Sequence, residues 1–296
     1  MSLIKYLIFS KVVELKSLTK AGDQLNLTQS AVSHAVSGLE AEFGLHLLKR
    51  SKAGVRLTAD GERLIPHIRQ VLQSNEKLHQ EVGALKGVDI GTVKLGTFSS
   101  VAIHWLPFIL KEFHSKCASI EIKFIDGNHR EMEKGLLDGT IDLAFITLPT
   151  LESFHTVPLK KDRMMCVFPA GHPLERETSI KLEELGGEPF IMPVAGCSTD
   201  LQRIFSEQRF QPLIKYEIEG DQAILAMVQN GLGISILPEM TASQIPGNVS
   251  RRPLEGEYDR MIGLAIPSYE TASPAAKKVF HFIKQWMEQY MTLASE

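Results

Sequence analysis

Between Gln29 and Leu39 the sequence QSAVSHAVSGL sorts into two stripes at helical spacing. Val32, Ala35, Val36 and Leu39 share one side, and Gln29, Ser30, Ser33, His34 and Ser37 share the other. The polar stripe holds no acid and no lysine, the residues a solvated helix ordinarily carries. Amides and hydroxyls are the groups that meet base edges in a DNA major groove. Gln pairs bidentately with adenine, and Ser or Thr, such as Thr28 just ahead of the stripe, reaches a base or a phosphate. A carboxylate there would be repelled by the phosphates. Shortly after, LLKRSKAGVRLT sets Lys49, Arg50, Lys52 and Arg56 around Gly54, as a basic hairpin gripping backbone phosphates would. Together these residues have the chemistry to read and hold duplex DNA.

A second set of polar groups lies in the remainder of the chain. Ser99 and Ser100 end a strand pattern and open a helix pattern, so hydroxyls and free backbone N–H groups point the same way. GCSTD (196–200) repeats that arrangement, offering Gly196, Cys197, Ser198 and Thr199. Two helix N-termini facing across a cleft suit a small anion such as a carboxylate. Thr147, ending IDLAFIT, and Asn128, opening another helix, are placed to line the same cleft.

Other chemistries find no residues to perform them. Cys117, Cys166 and Cys197 are far apart, with no C-x-x-C, and read as small buried hydrophobes. The ten histidines form no H-E-x-x-H, and no G-x-S-x-G elbow occurs. NGLG (230–233) is not the dinucleotide pattern and reads as a helix C-cap. No cofactor and no metal are expected, and no acid–base or nucleophile set can be assembled.

The elements that must position these groups follow from spacing. Leu3, Ile4, Leu7, Ile8, Val12 and Leu15 predict a first amphipathic helix. Thr19 can cap a second, KAGDQL, that stops at Asn26, and Thr28 caps the third: helix, tight turn, helix. Thr58 caps a long helix in which Leu64, Ile68, Val71, Asn75, Leu78, Val82 and Leu85 alternate steps of four and three. That is the 3.5-residue seam of a coiled coil, with Asn75 its one polar member. Pro66 should kink this helix or loosen its start.

GVDIGT (87–92) has the composition of a hinge. Beyond it TVKLGTF, IEIKFI and IDLAFIT read as strands, alternating with the helices AIHWLPFILKEFHSK and REMEKGLLDG. A second set follows, with strands RMMCVFPAG, PFIMPV, IKYEIE and GISILP around helices STDLQRIFSEQ and DQAILAMVQN. RMIGLAIP then leads to a last helix striped by Val279, Phe280, Ile283, Trp286, Met287 and Tyr290. Strand–helix–strand units of this kind predict mostly parallel sheet in two α/β subdomains with a cleft between them.

Length and charge agree with a divided chain. At 296 residues, two or three domains are expected. Residues 1–58 hold eight Lys and Arg against four acids, whereas the remainder holds 24 against 31. A basic head on an acidic body suits a polyanion-binding module attached to something else. No apolar run approaches the ~20 residues of a membrane span. Lys5, Lys11 and Glu14 interrupt the apolar start, with no small-residue cleavage site after it, so the expected compartment is the cytoplasm.

The stretch SLTKAGDQLNLTQSAVSHAVSGLEAEFGLHLLKRSKAGVRLTADGERL resembles the winged helix-turn-helix of LysR-type transcriptional regulators. Its hallmarks include Ser17, Ala21, Leu25, Gln29, Ala31, Ser33, Leu39, Glu40, Gly44, Leu47, Arg50, Leu57, Thr58 and Gly61. The resemblance implies that Thr28, Gln29, Ser30, Ser33 and His34 face the major groove, and Arg50, Lys52 and Arg56 the backbone. Three positions depart from the pattern: Gly22 and Leu48, where the family usually has Ala and Phe, and His34, where Arg is common. His is a weaker, pH-dependent base partner than Arg.

VKLGTFSS, WLPFILKEF, GLLDGTIDLAFI, AGHPL and NGLGISILP similarly resemble the effector-binding half of that family, which is periplasmic-binding-protein-like in fold. The implied architecture is an all-α winged helix-turn-helix over 1–58, a dimerising linker helix over 59–88 and a two-lobed α/β effector domain over 89–296. Its first lobe covers about 91–161 and 267–296, and its second about 162–266. Partners implied are double-stranded promoter DNA, a small, anionic effector and further copies of the chain. The seam supports a dimer, the resemblance a homotetramer; no membrane is involved. A peroxide-sensing branch of the family pairs a cysteine in the Cys197 region with one downstream, but 198–210 contain none, so no such switch is expected. A solute-binding protein without a DNA role and a cytosolic enzyme are the competing readings; the basic head opposes the first and the missing catalytic set the second.

Overall fold

A computed structural model of the chain describes residues 2–51, 54–194, 198–243 and 247–293. Three helices, α1 (Leu3–Leu15), α2 (Leu18–Leu25) and α3 (Gln29–Phe43), precede a hairpin of β1 (Leu48–Ser51) and β2 (Gly54–Leu57) and the long helix α4 (Ala59–Leu85). The cap expected at Thr19 is instead Ser17, whose Oγ accepts from the Lys20 N–H at 3.2 Å; Thr19 is already helical. Asn26 ends α2 in the left-handed region at φ 55°. Thr28 Oγ1 accepts from the Ala31 N–H at 3.2 Å and opens α3. The turn between them is tight: a Cβ on Gly22 would stand 2.7 Å from the Leu27 carbonyl oxygen.

Phe9, Val12, Ala21, Val32, Val36, Leu39 and Leu47 form the buried centre of this head. Of the apolar stripe expected on α1, Ile8 and Val12 are buried, while Leu3, Ile4 and Leu7 are exposed. Glu40 Oε1 accepts from the Leu47 and Leu48 N–H groups at 2.7 and 3.1 Å, fastening α3 to the start of the hairpin. Thr58 caps α4, accepting from the Gly61 N–H at 3.0 Å. Helix α4 runs on through Pro66.

The expected seam divides. Ile68 is buried in the head and Leu64 packs against the same core. From Val71 onward the seam is open, with Leu78 62% and Leu85 87% exposed. The opposite side of α4 docks on the body. Arg69 pairs with Asp138 at 3.1 Å, Gln73 Nε2 donates to the Gly139 carbonyl at 2.8 Å and Lys77 Nζ to that of Thr271 at 2.6 Å. Gln80, buried, accepts from the Ala275 N–H at 3.3 Å.

The first lobe of the body is built from β3 (Gly91–Thr97), α5 (Ser99–His104), α6 (Leu106–Lys116), β4 (Ile120–Asp126), α7 (His129–Leu137) and β5 (Leu143–Leu148). Its one expected helix over AIHWLPFILKEFHSK is two, because Pro107 at the start of α6 has no N–H to continue the ladder. Strand β6 (His155–Pro169) leaves for the second lobe, which contains β7 (Pro189–Pro193), α8 (Ser198–Glu207), β8 (Leu213–Ile218), α9 (Asp221–Gln229), β9 (Ser235–Pro238), α10 (Glu239–Ala242) and β10 (Val249–Pro253). Strand β11 (Asp259–Ile266) returns, and α11 (Pro274–Leu293) closes the first lobe.

The sheets are mixed rather than mostly parallel. Strands β4, β3 and β5 are parallel neighbours, as are β7 and β8. The crossing strands pair antiparallel: the first part of β6 with β11, its last part with β9 and β10. Ile262, Leu264 and Ile266 of β11 belong to the first lobe's core with Val93, Leu95 and Phe145. The chain is therefore back in the first lobe ahead of residue 267, where the resemblance places the return. Val279, Phe280, Ile283, Trp286 and Met287 of α11 are buried, and Tyr290 stacks on Trp286 with ring centroids 4.9 Å apart.

Candidate DNA-reading face and ligand cleft

Burying Val32, Val36 and Leu39 turns the other side of α3 outward, so Gln29, Ser30, His34 and Ser37 are exposed. Thr28, also exposed, holds Ser30 Oγ at 3.0 Å through its own hydroxyl. Ser33 is half-buried and accepts from Arg50 Nη1 at 2.9 Å. In the hairpin Lys49 pairs with Arg56, which places both on the side turned from the core, where both are exposed. Lys52 lies outside the described residues. Arg50 thus joins the polar stripe of α3 to the hairpin.

Between the two lobes lies a cavity of about 220 Å³. Ser99, Ser100, Asn128 and Thr147, expected here, all line it. Asn128 is held in place by a capping box, its Oδ1 accepting from the Glu131 N–H at 3.1 Å and its own N–H donating to Glu131 Oε2 at 2.8 Å. Thr199 is exposed and is not among the lining residues. Gly196 and Cys197 lie outside the described residues, as does the Ser198 side chain.

The cleft also contains groups that spacing did not single out. Arg260, on the returning strand, is 6% exposed. Its Nε and Nη2 donate to Asp162 Oδ2, on the outgoing strand, at 2.9 and 2.7 Å. Nη2 also donates to Ser100 Oγ at 2.7 Å, and the guanidinium lies 5.1 Å from the Phe98 ring centroid. Asp162 Oδ1 accepts from the Met240 N–H at 3.0 Å. The chain Ser100–Arg260–Asp162–Met240 therefore links α5, both crossing strands and α10. Asp221, opening α9, accepts from Thr241 Oγ1 at 3.3 Å.

Burial sets the ionisation of the surrounding groups. It pushes the carboxyls of Asp200 and Asp221 above the usual aspartate range, an effect that the Arg260 charge partly offsets in each. It pushes His129 below the usual imidazole range, against the pull of Glu133 and Asp200. His129 Nδ1 accepts from the Thr147 N–H at 3.2 Å, a role only the uncharged ring can take. Among the described residues, no cluster of His, Cys, Asp and Glu is arranged to hold a metal ion, and no helix is long and apolar enough to cross a membrane. Buried Cys166 has its thiol pKa pushed far above the ordinary value by burial.

Residues 5–62 match the family described as "Bacterial regulatory helix-turn-helix protein, lysR family", and residues 86–288 match "LysR substrate binding domain". The "Uncharacterized HTH-type transcriptional regulator YvbU" of Bacillus subtilis (strain 168) is 34% identical over 288 residues, covering 96% of this chain and 98% of that protein. Among solved structures, a variant of full-length OxyR from Pseudomonas aeruginosa superposes with a TM-score of 0.76 at 22% identity, over 97% of this chain and 94% of that one. Full-length CbnR complexed with its target DNA gives a TM-score of 0.68 at 20% identity, over 97% of this chain and 100% of that one.

Proposed function

The chain belongs to the LysR family of DNA-binding transcriptional regulators and carries that family's substrate-binding domain, and on that premise we propose how its surfaces divide the work. Helix α3 reads a promoter through Gln29, Ser30, His34 and Ser37, with Thr28 and Ser33 at its rim. Arg50 and Arg56, with Lys49 beside them, hold the flanking phosphates. The observation that carries this reading is the exposure of Thr28, Gln29, Ser30, His34 and Ser37 on a helix that the Arg50–Ser33 bond ties to the cationic hairpin.

Two copies would pair along the open seam of α4 from Val71 to Leu85, giving two reading helices related by a two-fold axis. Pairing of such dimers gives the homotetramer. A small metabolite in the inter-lobe cleft would act on Arg260, whose bonds join Ser100 in the first lobe to the outgoing strand. A ligand that binds one lobe arrangement better shifts the population toward it and so changes the spacing of the paired heads.

The test is titration of the full chain, over a range of salt, onto duplex DNA from upstream of its own gene and onto unrelated duplex. The expected result is tighter binding to the first, with affinity for both falling steeply as salt rises. Equal affinity for the two duplexes overturns the reading.

A further inference from the structure

In the regulator reading above, on which the present inference rests, a ligand in the cleft acts on the heads only if α4 feels its binding. Helix α4 bonds to the body in two places with different onward connections. Lys77 and Gln80 meet Thr271 and Ala275, which lead into α11. Among the described residues, none of α11 lines the cavity. Arg69 and Gln73 stand on either side of Leu72, which packs against the head's core. They meet Asp138 at 3.1 Å and the Gly139 carbonyl at 2.8 Å. Asp138 and Gly139 belong to the loop between α7 and β5, and both of those elements have their other end in the cleft, at Asn128 and His129 for α7 and at Thr147 for β5.

Every part of this unit is fastened. In the loop, Asp138 Oδ1 accepts from the Thr140 N–H and Oγ1 at 3.0 and 2.7 Å, leaving Oδ2 to Arg69. Gly139 is left-handed at φ 71°, and a Cβ there would stand 3.0 Å from Gln73 Oε1. Met132 and Leu136 of α7 pack with Ile141 of the loop and Ala144 and Ile146 of β5 in a cluster apart from the lobe's main core. Gly135 faces Ile141 so closely that a Cβ would come 2.5 Å from its Cδ1. In the cleft, the Thr147 N–H donates to His129 Nδ1 at 3.2 Å, which ties the end of β5 to the start of α7. The nine residues of α7 span about 13 Å, from the cavity wall to the base of the head.

We propose that α7, β5 and the loop between them are the element through which cleft and head sense each other, with Arg69 and Gln73 as the positioning residues that couple it to α4. Whatever moves Asn128, His129 or Thr147 moves a packed unit whose far end is bonded to α4. Coupling of this kind runs equally in both directions. Operator binding is therefore felt in the cleft, and no ligand is needed to see it.

Hydrogen exchange of the full chain, alone and saturated with duplex from upstream of its own gene, reads the coupling from the DNA side. In the parent, duplex is expected to change exchange in peptides covering 126–133 and 143–150 at least threefold. Arg69→Met combined with Gln73→Ala should abolish that change although the variant still binds duplex. Lys77→Met, which removes a bond of α4 that leads only to α11, should keep it. No change in the parent, a change that survives in the Arg69 and Gln73 variant, or its loss in Lys77→Met overturns the proposal. The thermal midpoint gives a measure independent of DNA. Asn128→Ala, at the cleft end of α7, and Arg69→Met should shift it non-additively. Asn128→Ala and Lys77→Met should simply add, as distant sites without a shared element do. Additivity in both pairs overturns the proposal. Equal affinity for this duplex and an unrelated one sinks the regulator reading, and the midpoints alone then decide whether the two ends of α7 are coupled.

Discussion

Arg50 Nη1, on the first strand of the hairpin, donates to Ser33 Oγ, on the reading helix, at 2.9 Å. Spacing assigned the two residues separate tasks, phosphate for one and groove for the other. The bond instead ties the wing to α3 and holds a guanidinium at the edge of the reading face. Ser33→Ala should release that guanidinium and weaken operator binding by about 0.5–1.5 kcal/mol, the usual net worth of one hydrogen bond. Arg50→Ala should cost more, because the charge goes with the bond. Fluorescence anisotropy on labelled operator compares them; a Ser33→Ala loss equal to that of Arg50→Ala would mean the serine, not the arginine, makes the contact.

Gln29 and Arg56 should fail in different ways. An amide that reads a base contributes discrimination, so Gln29→Ala is expected to lose about 1–3 kcal/mol of preference for operator over random duplex. Arg56, opposite Lys49 on the outer side of the hairpin, offers only charge to the backbone. Arg56→Ala should weaken both duplexes alike and reduce the slope of log affinity against log salt by about one. Salt titrations on the two duplexes separate these outcomes, and identical behaviour of the two variants counts against the division of labour.

Leu78 stands 62% exposed in the open half of the α4 seam. Burying such a side chain is worth about 1.5–3 kcal/mol, and a symmetric pair loses it twice. Leu78→Glu should therefore raise the dimer dissociation constant by about two to four decades, while the head and lobes keep their fold. Sedimentation velocity over a concentration series reads this directly. A variant that remains as associated as the parent places the interface elsewhere.

What the sequence disclosed was what short stretches decide by themselves. The caps at Thr28 and Thr58, the left-handed stop at Asn26 and the two-sided character of α3 are settled within a few residues. Thr19 misled because Ser17, two residues earlier, offers the same hydroxyl. In the cleft, Ser99, Ser100, Asn128 and Thr147 were legible as ends of strands and starts of helices. Arg260 was not: it reaches Ser100 from 160 positions away and lies in a strand whose pattern, RMIGLAIP, is otherwise apolar. Asp162 is equally hidden, 98 positions from its partner. Asp162 sits among Lys160, Lys161 and Arg163 and so carries no signal of burial in the sequence, and the pair is identified only once the crossing strands are known to lie side by side. The seam of α4 was silent on where the head's core ends, since Ile68 and Val71 look alike in sequence but only the first is covered.

The depressed His129 pKa carries a pH dependence. Because the folded protein resists protonating this ring, the unfolded chain binds more protons from about pH 6.5 downward to the folded value. Stability should therefore fall as pH drops through that window. Asp200 and Asp221 act with the opposite sign: their raised values make the native state the better proton binder above the ordinary aspartate pKa. Urea unfolding at pH 7 and pH 5.5 should show a smaller difference for His129→Asn than for the parent. An unchanged difference would assign the pH response to another group.

Asp162 is 1% exposed, and its two oxygens serve different elements, one Arg260 and the other the Met240 N–H. Removing it alone leaves a guanidinium buried without its counter-charge, so Asp162→Ala should cost about 3–5 kcal/mol of stability. Replacing the pair by apolar residues of similar size, Asp162→Leu with Arg260→Met, should recover most of that loss, since a buried ion pair repays little beyond its own desolvation. The same double variant breaks the path from Ser100 through Arg260 to the outgoing strand. It should therefore fold nearly as well as the parent and bind operator, yet no longer change that binding when ligand is added. Thermal unfolding and ligand-dependent anisotropy on the three proteins test both halves. If the double variant is as unstable as Asp162→Ala, the bond to Met240 rather than the ion pair holds the crossing strands. If it still responds to ligand, the lobes communicate by another route.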